Sequence, residues 1–558
     1  MHPSTRFVPF ALTLAWLPLA CHDGGSGSSG SPTIDVTPPE ILQGPDIAPN
    51  PNPQVPLAAI VTLVTDEPAW VTLHVSDGVN AWNVTPEPAP VLDHSLWVLG
   101  LRPDRAHQVR VEVTDAAGNA ALSPNVLSFV TDPLPSPFPP IQVTVSEPAL
   151  MEPGVTLFDA RFDNPQIPAL DWGLLVAVDA QGEVVWYYRY DQQIFDARRL
   201  PNGNMLFNYR LPGSGAAEVD MLGDFVQGWH VPHTGFTPIS PLSIPLTLES
   251  VHHEIFPMPA GSGSDFLTLS TEMRPYLGYP KPSGGTGPAN VIGDVVAEYL
   301  RDGTVTREIS LLDLLDPYRV SYDSLTGFWD RYYGTIDTDD WAHANSVVYD
   351  PATDLFVVSL RHQEAVIAID RPSGELRWIL GTHDGWGLPW SDKLLTPISP
   401  VFEWPYHQHA ASITPHGTVL LFDNGNGRAF PPAPQLPEVD RYSRAVEYRV
   451  DPVAMTVEQL WAYGGPNDKW YSAFLCDANW LPQTGNVLVV DGAKTNGGPL
   501  YARLAEVTHT DPAVVVWEIL VQDVDPPIDF SWNVYRGERL PSIDPAAPLV
   551  PEAPQPRL

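Results

Sequence analysis

One short hairpin pattern recurs along most of this chain and limits the folds that it can adopt. In five places a residue stands six positions before a proline that begins a tight turn, and we call this position the slot. Proline suits the first position of a turn, so each slot residue is expected to begin a strand that runs to its turn. The pairs of slot residue and proline are Phe195 and Pro201, His253 and Pro259, Asn345 and Pro351, His409 and Pro415, and Cys476 and Pro482. The pattern predicts one structural position repeated around the chain, with polar residues in three successive repeats.

Second hairpins alternate with the slot hairpins. Each has an apolar strand, a short turn with Asp or Gly, and another strand that often ends in Trp. The six segments are 174–186, 216–229, 294–305, 365–378, 444–461 and 502–517. Two hairpins make a four-stranded sheet, so the six repeats predict an all-β architecture, a six-bladed β-propeller over residues 134–558.

Hairpin geometry predicts which side chains share the mouth of such a propeller. A strand that leaves the slot and its returning partner bring the chain back to the same rim. Because residues two apart in a strand face the same way, His343 is expected to lie with Asn345, and His407 with His409. Residues near the ends of the returning strands are Arg210, Arg274, Arg361 and Asn424.

The composition excludes some classes of partner. Among 558 residues, 66 acidic side chains against 29 Lys and Arg give a formal charge of −37, which would repel nucleic acids and anionic membranes. A local group of arginines and histidines in a narrow mouth would still attract an anion, because low-dielectric walls concentrate the field.

The first residues have the features of an export signal. Phe7 to Ala20 is apolar apart from Thr13, and Cys21 follows it, as in a bacterial lipoprotein signal whose cysteine is lipidated. Residues 1–21 are therefore predicted to be a lipoprotein-type signal peptide and 22–34 a flexible Gly/Ser linker; an ordinary secretory signal is the alternative. We expect an exported protein, periplasmic or at the bacterial cell surface, that meets the membrane only through this anchor. With Cys21 lipidated, Cys476 has no partner for a disulfide within the chain.

Residues 35–133 are predicted to form a separate small β-sandwich. Ala69–Val75 and His107–Val113 alternate apolar and polar residues, and Leu99–Asn119 resembles the late strands of immunoglobulin-like or fibronectin type III modules. The proline-rich stretch 132–140 closes this domain, which we expect to be a spacer or an interaction module.

Several motifs occur in a shared order between about residue 140 and residue 545. They are His252-His253-Glu254, Asp340 to Ser346, Ser359 to Gln363 with Trp378 to Gly381, Gln408-His409-Ala410, Phe422 to Arg428, Arg441 to Tyr448 with Val457 to Trp461, and Tyr535 to Arg539. Together they resemble the bacterial arylsulfate sulfotransferases, propeller enzymes that work outside the cytoplasm. Glu254 stands where Asp is common in that family, and a disulfide found in some relatives has no counterpart here.

The resemblance implies an activity and a set of site residues. The family transfers a sulfuryl group from a phenolic sulfate ester to a phenol, by a ping-pong mechanism through a sulfated histidine and without a nucleotide sulfate donor or other cofactor. His409 of the Gln-His-Ala motif is implied to be the nucleophile, with His343, Asn345 and Arg361 beside it. One histidine of the doublet completes the catalytic set; the slot count favours His253, and His252 is the alternative. The resemblance also suggests a homo-oligomer.

The residue types suit this chemistry. Neutral imidazole is a nucleophile for sulfur, Arg361 supplies a permanent cation with several donors, and Asn345 supplies a neutral amide. His343 and His253 suit binding of sulfate oxygens or proton transfer. Further substrate contacts are expected from His252, and from Arg210 and Arg274, for which salt bridges at the rim are the alternative. The rings of Tyr406, Trp341 and Trp404 are also candidates, with ordinary packing as the alternative.

The sequence leaves two other functions open. One is a surface-anchored binding scaffold that turns over no aryl sulfate. The other is a transition-metal site formed by His407, His409, His253 and His343, which Asn345 and Arg361 disfavour, because an arginine beside a metal cation is repelled. We expect no metal. Three further histidines, His362, His383 and His416, are predicted to face solvent from loops.

Overall fold

The computed structural model describes residues 35–545, except 85–86, 164–171, 210–214, 233–236, 283, 336, 469, 496–497 and 524–530. The predicted signal with Cys21, the Gly/Ser linker and Arg210 lie outside the described residues. No helix in the described part of the chain is both long enough and apolar enough to cross a membrane.

The first domain consists of two sheets that share one long strand. Its strands are β1 Ile41–Pro49, β2 Ala59–Ser76, β3 Ala81–Val84, β4 Val91–Val98, β5 Ala106–Thr114 and β6 Ala120–Val130. The first half of β2 pairs with β1 and β4, and its second half pairs with β3 and β5, which in turn pairs with β6. Alternate residues of β2 and β5 are buried, as a sheet with one face on a core requires. After this domain, β7 Ile141–Ser146 already belongs to the larger body.

Six further sheets follow, which we number I to VI. Sheet I contains β8 Val155–Asp163, β9 Trp172–Val178 and β10 Val184–Tyr190. Sheet II contains β11 Ile194–Arg199, β12 Met205–Tyr209, β13 Gly215–Val219, β14 Phe225–His230 and β15 Ile244–Pro245. Sheet III contains β16 His252–Pro257, β17 Phe266–Pro280, β18 Thr286–Tyr299, β19 Val305–Ser310 and β20 Thr338–Asp340. Sheet IV contains β21 Ala344–Asp350, β22 Leu355–Leu360, β23 Ala365–Asp370 and β24 Leu376–Gly381.

The last two sheets and the final strands complete the body. Sheet V contains β25 Thr396–Pro397, β26 His409–Ile413, β27 Val419–Asp423, β28 Arg444–Asp451 and β29 Thr456–Gly464. Sheet VI contains β30 Asp477–Trp480, β31 Val487–Lys494, β32 Tyr501–Val507, β33 Val515–Val521 and, from the other end of the body, β7. The strands β34 Ser531–Asn533 and β35 Gly537–Leu540 both pair with β8 in sheet I. The described helices are short: α1 Leu311–Leu314, α2 Asp330–Tyr333, and 3-10 turns at Arg361–Gln363, Trp390–Lys393 and Glu438–Asp440.

Contacts between the sheets close them into a ring. A hydrophobic core lies between each successive pair of sheets, and another lies between sheets VI and I, where Leu488 and Leu504 pack with Phe158 and Leu174. Four strand-ending tryptophans donate from Nε1 to a carbonyl in the next sheet: Trp186 to Met221, Trp229 to Arg301, Trp461 to Thr510 and Trp517 to Ala180, at 2.9 to 3.1 Å. The last of these bonds runs from sheet VI back to sheet I. The predicted all-β propeller with a preceding immunoglobulin-like domain is confirmed as a fold class.

The first domain packs directly on the propeller. Val55, Ala58 and Leu99 share a core with residues of sheets I and II. The guanidinium of Arg102 donates to Asp179 at 2.6 Å and to Glu183 at 2.8 Å, both at the β9–β10 turn. The predicted spacer is therefore docked against the ring.

The slot lies at the start of the innermost strand of a sheet. Phe195, His253, Asn345 and His409 are in the first residues of β11, β16, β21 and β26, and Cys476 directly precedes β30. These strands contact one another around the ring axis.

A β-bulge interrupts the strand at each of four slots. The register shifts between Phe195 and Arg198, His252 and Ile255, Ala344 and Ser346, and His409 and Ser412. Three residues at these bulges have φ in the left-handed region: Asp196 at 48°, His253 at 60° and Ala410 at 54°. A bulge redirects side chains, so simple alternation does not decide which residues face the axis.

Candidate active site

Five histidines lie close together at the mouth, and we call them the imidazole cluster: His253, His343, His362, His407 and His409. The ring centroids of His253 and His343 are 5.0 Å apart, those of His343 and His362 4.7 Å, and those of His362 and His407 5.9 Å. His409 belongs to the same group. In addition to burial, Arg361 and His343 lower the pKa of His409, and His409 lowers the pKa of His253. The slots of sheets III and V and the residue before β21 thus meet in one place.

His409 is a buried, neutral imidazole. Burial, and then the Arg361 cation, hold the pKa of His409 well below its ordinary range. Its Nδ1 contacts Oδ1 of Asn424, the residue after β27, at 2.7 Å. An uncharged ring keeps a lone pair for attack on an electrophile.

His343 has a carboxylate as its partner. It precedes β21 with φ of 50°, and its Nδ1 lies 2.5 Å from Oδ2 of Asp340 at the end of β20. Oδ1 of Asp340 accepts a hydrogen bond from Nε1 of Trp329 at 3.2 Å, which holds the carboxylate in place. This arrangement orients the ring of His343 and gives it a carboxylate partner, a pairing that suits proton transfer.

The structure separates the two histidines of the doublet. Nε2 of His252 donates to the carbonyl of Ser270 at 3.1 Å, and its Nδ1 is 2.8 Å from Nδ1 of His253. Burial lowers the pKa of His252 to about 3, so its Nδ1 accepts from Nδ1–H of His253. Among the described residues, Nε2 of His253 therefore has no hydrogen-bond partner, and the ring of His253 is the one beside His343. His252 thus orients the ring of His253 through this hydrogen bond.

His362 was expected to face solvent, and the structure contradicts this. The 3-10 turn Arg361–Gln363 after β22 directs the ring inward, where it is buried. Nδ1 of His362 donates to the carbonyl of Asp340 at 2.7 Å, and Nε2 accepts from Nη1 of Arg361 at 2.6 Å. Its place directly after Arg361 in a family motif was the only sequence signal available.

Arg361 is a buried cation beside the cluster. Burial lowers the pKa of Arg361, and the carboxylates of Asp323 and Glu364 oppose this effect. Its Nη2 donates to the carbonyl of Ala473 at 3.3 Å, whereas its buried Nε has no hydrogen-bond partner within the described residues. That N–H is available to an anionic ligand.

Asn345 has an unused acceptor. Nδ2 donates to the carbonyl of Gln408 at 2.7 Å, and the buried Oδ1 has no hydrogen-bond partner among the residues described. The carbonyl of Asn345 accepts from the Tyr535 hydroxyl and from Nη2 of Arg536, both at 3.2 Å. Tyr535 and Arg536 lie between β34 and β35, so the segment that closes the ring also supports this slot.

His407 is a charged structural residue. Its Nδ1 lies 2.9 Å from Glu364 and its Nε2 2.8 Å from Asp323. Burial opposes the charge, but Glu364 and Asp323 raise the pKa of His407 above its ordinary value. Both nitrogens are therefore occupied as donors, which removes His407 from the metal-ligand set considered from the sequence.

Another group has metal-ligand residue types. Asp340, His343 and His362 each place one potential ligand atom within 4.8 Å of the others. Both nitrogens of His362 already have partners, one of them the Arg361 guanidinium. Asp340, His343 and His362 are therefore better suited to proton transfer than to binding a metal cation.

Residues 311–335 form a long connection over the cluster, which we call the cover segment. Its Asp323 binds His407, and the hydroxyl of Ser324 donates to the carbonyl of His362 at 3.1 Å. The ring of Phe328 is 43% exposed, and its centroid lies 4.9 Å from that of His343. An exposed aromatic face thus borders the imidazoles.

Two predicted substrate contacts are not part of the cluster. Arg274 in β17 donates to Glu272 at 2.6 Å and to Asp313 at 2.5 Å, so its charge is neutralised at the edge of sheet III. Burial, and then Glu364, Asp384 and Asp423, raise the pKa of the Tyr406 phenol to about 12. These acidic surroundings disfavour an anionic ligand. The other two aromatic candidates pack as ordinary core or loop residues, Trp341 fully buried and Trp404 against Phe402.

A large cavity lies elsewhere on the inner strands. It has a volume of about 580 Å³, and its lining includes Asp196, Arg198, Glu254 and Arg536 but none of the five histidines of the cluster. Arg536 lies 2.7 Å from both Asp196 and Glu254, so the charges of this cavity compensate one another.

Comparisons with known proteins agree with the motifs. The family model described as Arylsulfotransferase (ASST) matches residues 148–525, and the model described as Arylsulfotransferase Ig-like domain matches residues 47–127. A relative from Escherichia coli O6:H1 (strain CFT073), named arylsulfate sulfotransferase AssT, is 28% identical over 342 residues, which are 51% of this chain and 52% of the relative. A protein of the same name from Lelliottia amnigena is 28% identical over 343 residues, again 51% and 52% of the two chains. The chain thus spans about half the length of the curated relatives it matches.

Solved structures align with the chain at low similarity. The β-propeller domain of Cps50 (Swd1) from Myceliophthora thermophila aligns with a TM-score of 0.30, 9% identity and coverage of 68% of this chain and 96% of that one. The periplasmic gluconolactonase PpgL of Pseudomonas aeruginosa aligns with a TM-score of 0.29, 11% identity and coverage of 68% and 100%.

Proposed function

Because this chain belongs to the arylsulfotransferase family, we propose that it transfers a sulfuryl group from a phenolic sulfate ester to a phenol through an N-sulfated His409. The observation that carries the proposal is the pairing of a neutral, buried His409 with the Arg361 cation inside one cluster of imidazoles. A nucleophile without charge beside a fixed cation suits an anionic electrophile.

The sulfate ester is bound by charge and by hydrogen bonds. The free Nε–H of Arg361 donates to a sulfate oxygen, and the guanidinium balances the negative charge that the ester brings. The aryl ring of the donor packs on the exposed face of Phe328, next to His343. Phe328 takes the part expected from the sequence for Tyr406.

The first half-reaction forms the sulfated enzyme. The lone pair of His409 attacks sulfur, the N–S bond forms, and the S–O bond to the aryl group breaks. The departing phenolate takes a proton from His343, whose charged form is supported by Asp340. By analogy with phosphoryl transfer the transition state is loose, so placement and oxygen-directed donors carry most of the rate.

The second half-reaction returns the enzyme to its starting state. An incoming phenol gives its proton to His343, which is neutral after the first half-reaction, as the phenol oxygen attacks sulfur. The O–S bond forms, the N–S bond breaks, and neutral His409 leaves. The ring of His253 lies beside that of His343, with 5.0 Å between the centroids, and completes the set of imidazoles.

The setting of the enzyme is also part of the proposal. The apolar stretch before Cys21 supports export and lipid anchoring, so the natural donor and acceptor are small molecules outside the cytoplasm. A homo-oligomer is proposed from the family resemblance alone, and no nucleic acid or cofactor is required by the steps above.

Turnover of 4-nitrophenyl sulfate tests the function. We expect release of nitrophenol that depends on an added phenol acceptor, and one sulfuryl adduct on the peptide containing His409 when donor alone is present. His409→Ala should abolish both, with a loss of more than about 10³-fold in rate. His416→Ala is the matched control, because His416 is an exposed histidine outside the cluster.

Other outcomes separate the alternatives. Equal release with and without acceptor would indicate a sulfatase. No release with any aryl sulfate, from a protein that is folded, would leave the binding scaffold as the better description.

A further inference from the structure

Two histidines of the cluster have partners of different charge. Nδ1 of His409 contacts the carboxamide of Asn424, and Nδ1 of His343 contacts the carboxylate of Asp340. A carboxylate stabilises the imidazolium form of its partner, whereas a carboxamide oxygen accepts a hydrogen bond without adding charge. The two rings are therefore prepared for different tasks.

The orientation of the Asn424 side chain is fixed by its surroundings. Nδ2 of Asn424 donates to the carbonyls of Ser472 at 2.9 Å and Leu475 at 3.2 Å. These two acceptors use both N–H groups of the amide, and a flipped amide would place its oxygen against two carbonyl oxygens. The oxygen that faces His409 is thus an acceptor only, and Nδ1 of His409 carries the proton.

The lone pair of His409 therefore lies on Nε2. We propose that Asn424 is a positioning residue that makes Nε2 the nitrogen that accepts the sulfuryl group and keeps His409 uncharged, while Asp340 prepares His343 to carry the proton. This inference rests on the proposed function and gives roles to Asn424 and Asp340, for which the sequence suggested none.

A neutral partner suits both halves of the reaction. When the Nε2–S bond forms and the S–O bond breaks, the proton on Nδ1 stays on the ring, because a carboxamide is too weak a base to take it. The sulfated ring then carries a positive charge, and it leaves as neutral imidazole when a phenol oxygen takes the sulfuryl group. A carboxylate at residue 424 would take that proton and make the ring a poorer leaving group.

The neutral partner also keeps His409 uncharged in the free enzyme. Arg361 and His343 both disfavour a positive charge on His409, and His409 in turn disfavours one on His253. Asn424→Asp would place a negative charge 2.7 Å from Nδ1 and favour the imidazolium, which has no lone pair for attack.

Nitrogen NMR of the full chain tests the assignment without using activity. In protein with ¹⁵N-labelled histidine, the signals missing from His409→Ala identify the ring. We expect a neutral ring with the proton on Nδ1 between about pH 5 and pH 9. A proton on Nε2, or a ring that titrates like a free histidine, would overturn the proposal even if the protein is an active sulfotransferase.

The rate of sulfation by donor alone gives the second readout. Asn424→Asp should lower this rate at least about tenfold at pH 7 and make it rise with pH, since each unit of pKa above the working pH removes tenfold of the neutral form. Asn424→Gln should recover part of the rate at an unchanged pH profile. Wild-type rate and pH profile in Asn424→Asp would contradict the proposal.

A matched control uses the same pair of residues elsewhere. Oδ1 of Asn83 contacts Nδ1 of His74 at 2.9 Å in the first domain, far from the cluster in the chain. Asn83→Asp makes the same charge change beside a histidine and should leave the sulfation profile unaltered. If wild-type protein shows no sulfation at all, the proposed function fails, while the NMR result still decides the role of Asn424.

Discussion

Arg361 donates from Nη1 to Nε2 of His362 at 2.6 Å, so two adjacent residues of one 3-10 turn are joined by a hydrogen bond inside the cluster. The same imidazole donates from Nδ1 to the carbonyl of Asp340, the carboxylate partner of His343. His362 therefore links Arg361, the proposed sulfate-binding residue, to the pair of His343 and Asp340. Nε of Arg361 keeps no hydrogen-bond partner among the described residues.

Replacement of His362 should disturb Arg361 without removing its charge. His362→Phe loses both hydrogen bonds, so the guanidinium is no longer fixed, and we expect a higher KM for the aryl sulfate together with a lower kcat. His362→Gln can donate to Asp340 and accept from Arg361, and should recover part of the loss. Steady-state kinetics with 4-nitrophenyl sulfate check this prediction. Equal kinetics in the Phe and Gln variants would show that the hydrogen bonds of His362 to Arg361 and Asp340 do not affect the reaction.

Arg361→Lys should be severely impaired although it keeps the charge. A lysine ammonium cannot replace the bond to His362, the bond to Ala473 and the free Nε donor at the same time. The loss of one oxyanion donor costs about 10² to 10³ in rate, and we expect a decrease of that size in kcat/KM. Circular dichroism and thermal unfolding serve as controls for folding. A rate within a few-fold of wild type would exclude Arg361 as a sulfate-binding residue.

Phe328→Ala should weaken the binding of the aryl group more than the chemical step. The ring is exposed and borders His343, so its loss removes apolar contact with the substrate while the imidazoles stay in place. We expect a higher KM for aryl donors and a smaller change in kcat, with Phe328→Trp close to wild type. Leu277→Ala removes an apolar side chain from β17 that is more exposed than Phe328, 86% against 43%, and is the control. The same KM in Phe328→Ala and wild type would place the aryl group elsewhere.

His407 should make stability depend on pH. Glu364 and Asp323 raise the pKa of His407 in the folded state against the effect of burial. This contribution is fully present below the unfolded pKa of about 6.5 and is lost as pH rises through the higher folded value. His407→Gln should therefore lower the melting temperature most at acidic to neutral pH, and the difference from wild type should shrink at alkaline pH. A difference in melting temperature that grows as the pH rises above about 6.5 would contradict this prediction.

Much of the fold followed from local sequence rules. Turn prolines spaced evenly after each slot, and strands that alternate or end in Trp, depend on backbone preferences that neighbouring residues set among themselves. Equal hairpin lengths then place His253, Asn345 and His409 at the same level, because each strand starts the same distance from its turn. These features of the hairpins follow from local sequence alone. Arg361 and His343 were identified through the resemblance to the family.

The contacts within the site were decided only by the tertiary structure. The bulges at His253 and Ala410, with φ of 60° and 54°, break the alternation from which side-chain direction was predicted. His362, Asn424 and Asp340 acquire their partners across strands and turns, and Asp323 reaches His407 from a connection 84 residues earlier in the chain. A strand period is a property of a few consecutive residues, whereas these hydrogen bonds exist only after neighbouring sheets have packed and the ring has closed.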